Sequence, residues 1–138
     1  MFVPNKRRGV TLLIVLSVLS LISLSALTLF YSANLEMMIA GNARRSGMAR
    51  RAAESGLNHF VALNRRYDAL REEASGRESI QVIPPTPLGA KTSYEVKVLF
   101  CCLLSERKYI VESTGFYKKD NRVISVHTTK SLFMSPAP

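Results

Sequence analysis

The chain has 138 residues and a formal net charge of +9, from 19 Lys and Arg against 10 Asp and Glu. This length allows about one domain. The uncharged residues 10–35 take up 26 positions and leave 112 for the rest of the chain. We therefore exclude a large soluble enzyme and a transporter with several spans, and expect one membrane span with a small head.

A short basic segment precedes the apolar stretch. Lys6, Arg7 and Arg8 lie directly before Gly9. As a helix, residues 10–35 would extend about 39 Å, and roughly 20 apolar residues cross the hydrocarbon core. Basic residues before a first span favour the cytoplasmic side, so we expect the head outside the inner leaflet. The alternative is a cleaved secretory signal, whose apolar region usually has about 7–15 residues.

Seven hydroxyl residues interrupt this predicted span: Thr11, Ser17, Ser20, Ser23, Ser25, Thr28 and Ser32. Small hydroxyl residues allow membrane helices to approach closely and to form hydrogen bonds with one another. Alternatively, each hydroxyl bonds to a carbonyl of its own helix. Their number favours packing between helices.

The junction Lys6-Arg7-Arg8-Gly9-Val10 resembles the class III leader of type IV pilins and type II secretion pseudopilins. The resemblance implies that prepilin peptidase cuts after Gly9 and that the new N-terminus at Val10 is methylated. The mature chain would carry 16 Lys and Arg against 10 Asp and Glu, a net charge of +6. The alternative is an uncut single-span membrane protein that matches the leader by chance.

One position departs from that family. Most members have Glu as the fifth residue after the cut, where this chain has Ile14. In the family, this Glu is held to pair with the N-terminal amine of a neighbouring subunit. A carboxylate near the bilayer centre costs roughly 2.5–3.5 kcal/mol on insertion scales. Ile14 avoids that cost and loses the pairing, which suits a subunit at the tip or start of a filament.

From about residue 34 to residue 75 the sequence is polar but keeps an apolar stripe at spacings of three and four residues. The stripe contains Ala49, Ala52, Ala53, Gly56, Leu57, Phe60, Leu63, Tyr67 and Leu70. This spacing is typical of an amphipathic helix. We predict one long helix, with its first half in the membrane and its second half packed on a sheet.

Two motifs on this helix resemble the N-terminal domain of PilX-type minor pilins, in which E-x-x-x-A-G-N precedes A-A-E-x-G/A-L. The matching residues are Glu36, Ala40, Gly41, Asn42, Ala52, Ala53, Glu54, Gly56 and Leu57. The resemblance covers about residues 6–60, and such pilins often lack the fifth-position Glu. Pseudopilin K of type II secretion shares the missing Glu and a similar A-E-x-G element, but its head is usually far larger.

The resemblance implies a minor pilin that primes or caps type IV pilus assembly, without enzymatic activity or a cofactor. Its partners would be inner-membrane lipid before assembly, prepilin peptidase, the inner-membrane assembly platform, and other minor and major pilins. It would lie in the inner membrane with its head in the periplasm, and later at the pilus tip. The alternatives are a type II secretion tip pseudopilin and a tip module that binds DNA or a surface.

Three arginine pairs carry the DNA alternative: Arg44-Arg45, Arg50-Arg51 and Arg65-Arg66. Such residues bind phosphates with release of counterions. Residues 34–75, however, hold seven Arg against five acidic residues, and no aromatic set lies between the pairs. A solvated face or a face between subunits is favoured, with acidic lipid headgroups as a further alternative.

The remaining sequence predicts a small sheet. We divide the chain into a leader 1–9, a membrane helix 10–35, its amphipathic continuation 36–75, a linker 76–93 and a head 94–138. In the linker, residues 80–83 allow a short strand, and the prolines of residues 84–87 predict an extended or polyproline segment.

Three strand-like runs follow at residues 94–104, 109–117 and 122–133, separated by polar turns at 105–108 and 118–121. Gly115 is a candidate bulge in the second run. Such spacing indicates an antiparallel meander. The predicted fold is α+β and pilin-like, with one long N-terminal helix packed on this meander.

Cys101 and Cys102 are adjacent in the first predicted strand, so their side chains would lie on opposite faces. Cys102 would face the core, and Cys101 could form a disulfide with another chain in an oxidising compartment. A buried free thiol is the favoured interpretation. With His59 and His127 these cysteines have no usual zinc spacing, and the common catalytic motifs are missing from the sequence. We predict neither a metal site nor catalysis.

Overall fold

The computed structural model describes residues 6–100 and 107–135, with side chains from residue 10 onward. Its elements are α1 (Lys6–Leu63), α2 (Tyr67–Ala74), β1 (Ser79–Pro87), β2 (Thr92–Phe100), β3 (Lys108–Lys119) and β4 (Arg122–Met134). The long helix packs on a four-stranded antiparallel sheet in the order β1-β2-β3-β4. The predicted α+β fold, a helix on an antiparallel meander, is confirmed.

The chain divides into two compact units, the first ending at Gly41 and the second beginning at Asn42. In the first unit, the large apolar side chains between Val10 and Ile39 are exposed. Four hydroxyls there donate to the carbonyl four residues earlier, at 2.8–2.9 Å: Ser17, Ser20, Ser25 and Thr28. These four follow the alternative in which each hydroxyl bonds to its own helix, and the predicted packing between helices stays a prediction.

The prediction of one unbroken helix to residue 75 is wrong. Asn64 has a φ of 45° and ends α1, because Asn tolerates the left-handed conformation that commonly closes a helix. The chain then restarts as α2, which ends at Ser75 with a φ of 48°. This break leaves Leu63 exposed and brings Leu70 and Ala74 of α2 into the core.

The sheet has one strand more than the three predicted runs. β1 extends from Ser79 through the prolines to Pro87, in the segment predicted as a linker, and pairs with β2. Two register shifts interrupt this pairing. Proline donates no ladder hydrogen bond and is accepted on a sheet edge, which is where β1 lies. The predicted end of the first run, residues 101–104, lies outside the described residues.

The β3–β4 hairpin turns at Asp120 and Asn121, both with positive φ, as a two-residue type I′ turn requires. The predicted bulge at Gly115 is wrong. Gly115 pairs in regular register with both Tyr94 and His127, and the register shift lies between Tyr117 and Lys118. Gly115 has another role, described below.

The core of the second unit lies between the two helices and one face of the sheet. Aliphatic members come from β1, β2, β3 and α2, and the largest fully buried ones are Leu70, Val96, Val98 and Val111. Around them, aromatic rings pack edge to face: Phe60 with Tyr109 and Phe133, and Tyr67 with Phe100.

Candidate assembly surfaces

The second PilX-like motif lies where α1 meets the sheet. Ala52, Ala53 and Gly56 are buried, as is Ala49 one turn earlier. The Ser113 hydroxyl of β3 donates to the Ala53 carbonyl at 2.7 Å. These small residues allow the helix backbone to approach the sheet closely, and a methyl group added in this contact would have no room.

Gly115 completes this contact from the sheet side. A Cβ at Gly115 would overlap the Ala49 carbonyl oxygen and the Ala53 amide nitrogen, both backbone atoms. A Cβ at Gly56 would overlap the Ser113 hydroxyl and lie 2.8 Å from the Tyr94 ring. We call Ala49, Ala52, Ala53, Gly56, Ser113 and Gly115 the helix–sheet junction.

Other members of this motif differ in position. Leu57 is half-buried and packs against the core. Glu54 is exposed and forms an ion pair with Arg50 at 2.9 Å, one helical turn away. An exposed pair at this spacing stabilises a helix by only about 0.3–0.5 kcal/mol. Glu54 therefore lies on the surface of α1, and the small residues of the motif account for the packing.

A hydrogen bond next to the junction was not predicted. His59 Nδ1 lies 2.8 Å from the Tyr94 hydroxyl, with the two rings edge to face. His59 itself is exposed, whereas Tyr94 is buried. Nothing in the local sequence pattern pairs these residues, because they are 35 positions apart.

The first PilX-like motif spans the division between the two units. Glu36, Ala40 and Asn42 are exposed on α1. A Cβ at Gly41 would meet no atom within 4 Å. The Asn42 side-chain oxygen accepts a hydrogen bond from Arg45 at 3.4 Å. These positions make no tight contact comparable to the junction.

The predicted cleavage site lies near the start of α1. The helix begins at Lys6, so the Gly9–Val10 bond falls at the end of its first turn, where backbone N–H groups have no partner within the helix. Lys6, Arg7, Arg8 and Gly9 are described by their backbone alone. Val10 and Ile14 are both exposed on the helix surface.

The first part of α1 is long and apolar enough to cross a membrane, and no residue of its most apolar window is buried. Exposing apolar surface to water costs about 25 cal/mol of free energy per Å². This part of α1 is therefore a candidate membrane span.

Two of the three arginine pairs have one member in an ion pair. Arg50 pairs with Glu54, and Arg65 pairs with Glu73 at 2.9 Å. Arg71 lies over the Phe100 ring, with its guanidinium carbon 5.1 Å from the ring centroid. These contacts engage Arg50 and Arg65 within the chain, and the solvated face stays a prediction for the pairs as a whole.

Cys101 and Cys102, for which the sequence favours a free thiol over a disulfide with another chain, lie outside the described residues. In the described ranges no three His, Cys, Asp or Glu side chains come together as metal ligands. His59 is on α1 and His127 is on β4.

Comparison of the chain with protein-family models, curated proteins and solved structures returned no match.

Proposed function

We propose that this chain is a minor pilin that primes or caps type IV pilus assembly after prepilin peptidase cuts between Gly9 and Val10. One observation carries the proposal. A helix with a bare apolar first part continues into a small sheet domain, and the small residues of the PilX-like motif lie buried at the helix–sheet junction. The motif therefore has a physical role in this chain beyond its likeness to a family.

The leader offers a reason for cleavage. Moving Lys6, Arg7 and Arg8 into the bilayer would cost roughly 2.5–3.5 kcal/mol each, or roughly 8–10 kcal/mol together. The uncut helix is thereby held with its N-terminus on the cytoplasmic side. Cutting after Gly9 removes all three charges and leaves an apolar rod that can leave lipid for the apolar surfaces of partner helices.

Ile14 supports a position at the end of a filament. It is exposed and uncharged, so the mature helix presents no carboxylate near its N-terminus to a neighbouring amine. A subunit with nothing above it needs no such carboxylate. In this proposal, the head makes lateral contacts with other minor pilins.

The test is the mass of the mature N-terminus, measured in cells with and without prepilin peptidase. We expect a chain that begins at Val10 and carries one methyl group, formed only when the peptidase is present. Gly9→Val should stop this processing. Gly47→Val is the matched control on the same helix, because a Cβ at Gly47 meets no atom within 4 Å.

A mature protein that retains Lys6, Arg7 and Arg8, or normal processing of Gly9→Val, would leave an uncut single-span protein as the better description. If the N-terminus is Val10, the co-purifying subunits distinguish a pilus from a type II secretion system.

A further inference from the structure

The two edges of the sheet differ in how they are protected. β1 contains Pro84, Pro85 and Pro87 and has two register shifts, features that prevent a further strand from pairing. β4 contains no proline and pairs with β3 from Ser125 to Met134 without a shift. No other strand pairs with β4 in the part of the chain that the structure describes.

The open edge is therefore long and regular. In an antiparallel strand, every second residue directs its backbone N–H and C=O away from its partner. Along β4 these groups form a continuous row of donors and acceptors suited to another extended chain. Adding a strand to such an edge is a common mode of peptide recognition, in which backbone hydrogen bonds supply affinity and side chains supply specificity.

β4 also carries the exposed apolar side chains of the sheet. The large hydrophobic residues that are exposed in the described strands all lie on it: Val123, Ile124, Val126, Leu132 and Met134. Phe133, by contrast, packs on Tyr109 and belongs to the core face. Because side chains alternate along a strand, Val126 and Leu132 share the opposite face with Lys130. An apolar, unprotected edge strand of this kind favours pairing with another chain.

Charge indicates which chain would pair. Residues 42–138 hold 16 Lys and Arg against 9 Asp and Glu, a net charge of +7. The two charged side chains of β4, Arg122 and Lys130, are both basic, and Lys130 reaches Glu112 at 2.9 Å while staying largely exposed. A second copy of this chain would bring like charge to like charge, whereas an acidic partner is attracted and steered by the field.

We propose that the β4 edge binds an extended segment of a different, net-acidic polypeptide, which adds to the sheet as a fifth strand. Its apolar side chains would lie beside Val126 and Leu132, with an acidic side chain near Lys130. This surface lies on the sheet and does not require cleavage at Gly9, so it can succeed or fail independently of the proposed function.

The test uses the uncut full-length chain in neutral detergent micelles and a nine-residue probe peptide of alternating Val and Glu. We expect binding that slows hydrogen exchange of β4 amides at least tenfold. The same peptide with N-methyl groups on its four central amides keeps its charge and side chains but cannot form the ladder, and should bind at least tenfold more weakly. A peptide of alternating Val and Lys should not bind.

Two variants locate the site. Val126→Glu should weaken binding at least tenfold, and Val61→Glu should change it less than twofold. These valines match in exposure, at 53 % and 54 %, but Val61 lies on α1. Slow exchange of the Val111 amide in both variants would verify that the sheet is folded.

Equal binding of the N-methylated peptide would show attraction by charge alone and overturn the proposal. Tighter binding of a peptide with the sequence of residues 122–134 would identify a second copy as the occupant and also overturn it. So would the absence of protection on β4 with the Val and Glu peptide, a result that needs no variant.

Discussion

The Ser113 hydroxyl on β3 donates a hydrogen bond to the Ala53 carbonyl on α1 across 2.7 Å and 60 residues of sequence. Both residues are fully buried. The Ala53 carbonyl is part of the helix backbone, so this bond joins sheet to helix at a distance that larger side chains would not allow. The small residues of the junction thus determine how closely the two elements pack.

The first prediction concerns Gly115. Gly115→Ala should lower the free energy of unfolding by about 3 kcal/mol, because its methyl group would overlap backbone atoms of Ala49 and Ala53 that cannot move independently. Urea unfolding of the sheet, followed by circular dichroism in micelles, measures the change.

The matched control for Gly115→Ala is Gly47→Ala, since both add one methyl group. At Gly47 that methyl meets nothing within 4 Å, and Ala is favoured over Gly in a helix by about 1 kcal/mol. We expect the control to be neutral or stabilising. Equal loss at both positions would contradict the close contact at Gly115.

The second prediction concerns coupling between Gly56 and Ser113. Ser113→Ala should cost about 1 kcal/mol through its lost hydrogen bond. Gly56→Ala should cost more in the wild type, because the new Cβ overlaps the Ser113 hydroxyl. In the double variant that hydroxyl is absent, so the two losses should sum to more than the measured loss by about 0.5–2 kcal/mol. Strict additivity in the double-mutant cycle would show that the two side chains do not compete for this space.

The third prediction concerns pH. Burial raises the pKa of the Tyr109 hydroxyl above its usual value near 10.0. The unfolded chain then releases this proton at lower pH than the folded protein does, so the stability linked to Tyr109 is fully present below about pH 10. It is lost as the pH rises through the higher folded value.

Tyr109→Phe keeps the ring that stacks on Phe133, 5.6 Å between centroids, but removes the titrating group. The unfolding free energy of this variant should therefore fall less steeply above pH 10 than that of the wild type. Parallel pH profiles from pH 8 to pH 12 would contradict this assignment.

The fourth prediction concerns Ile14 and rests on the proposed function. If the chain lies at the end of a filament, Ile14→Glu should not improve its incorporation. No neighbouring subunit above it would then offer an N-terminal amine to pair with the new carboxylate. Ile22→Glu reports the insertion cost of a carboxylate at another exposed position of the same helix. Quantitative immunoblotting of sheared filaments measures both variants. Increased incorporation of Ile14→Glu along the shaft would contradict a position at the end.

The sequence predicted the junction from one side only. The spacing of Ala49, Ala52, Ala53 and Gly56 marked a face of the helix that packs closely, and the structure places all four there. Their partners Ser113 and Gly115 could not be inferred, because nothing near them in sequence indicates a helix backbone above. For the same reason, the sequence pattern around Gly115 suggests a bulge, where the structure has regular pairing.

By itself, the sequence determined the features that depend on near neighbours: an uncharged run long enough to span a membrane, the helical stripe, the strand alternation and a polar turn within residues 118–121. Only the tertiary structure decided that α1 ends at Leu63, that the proline-rich segment pairs as β1, and that β4 is left as an open apolar edge. Periodicity reports which face of an element is apolar, since it arises from residues a few positions apart. Which element covers that face depends on contacts between residues far apart in the chain. A local sequence pattern does not indicate these contacts.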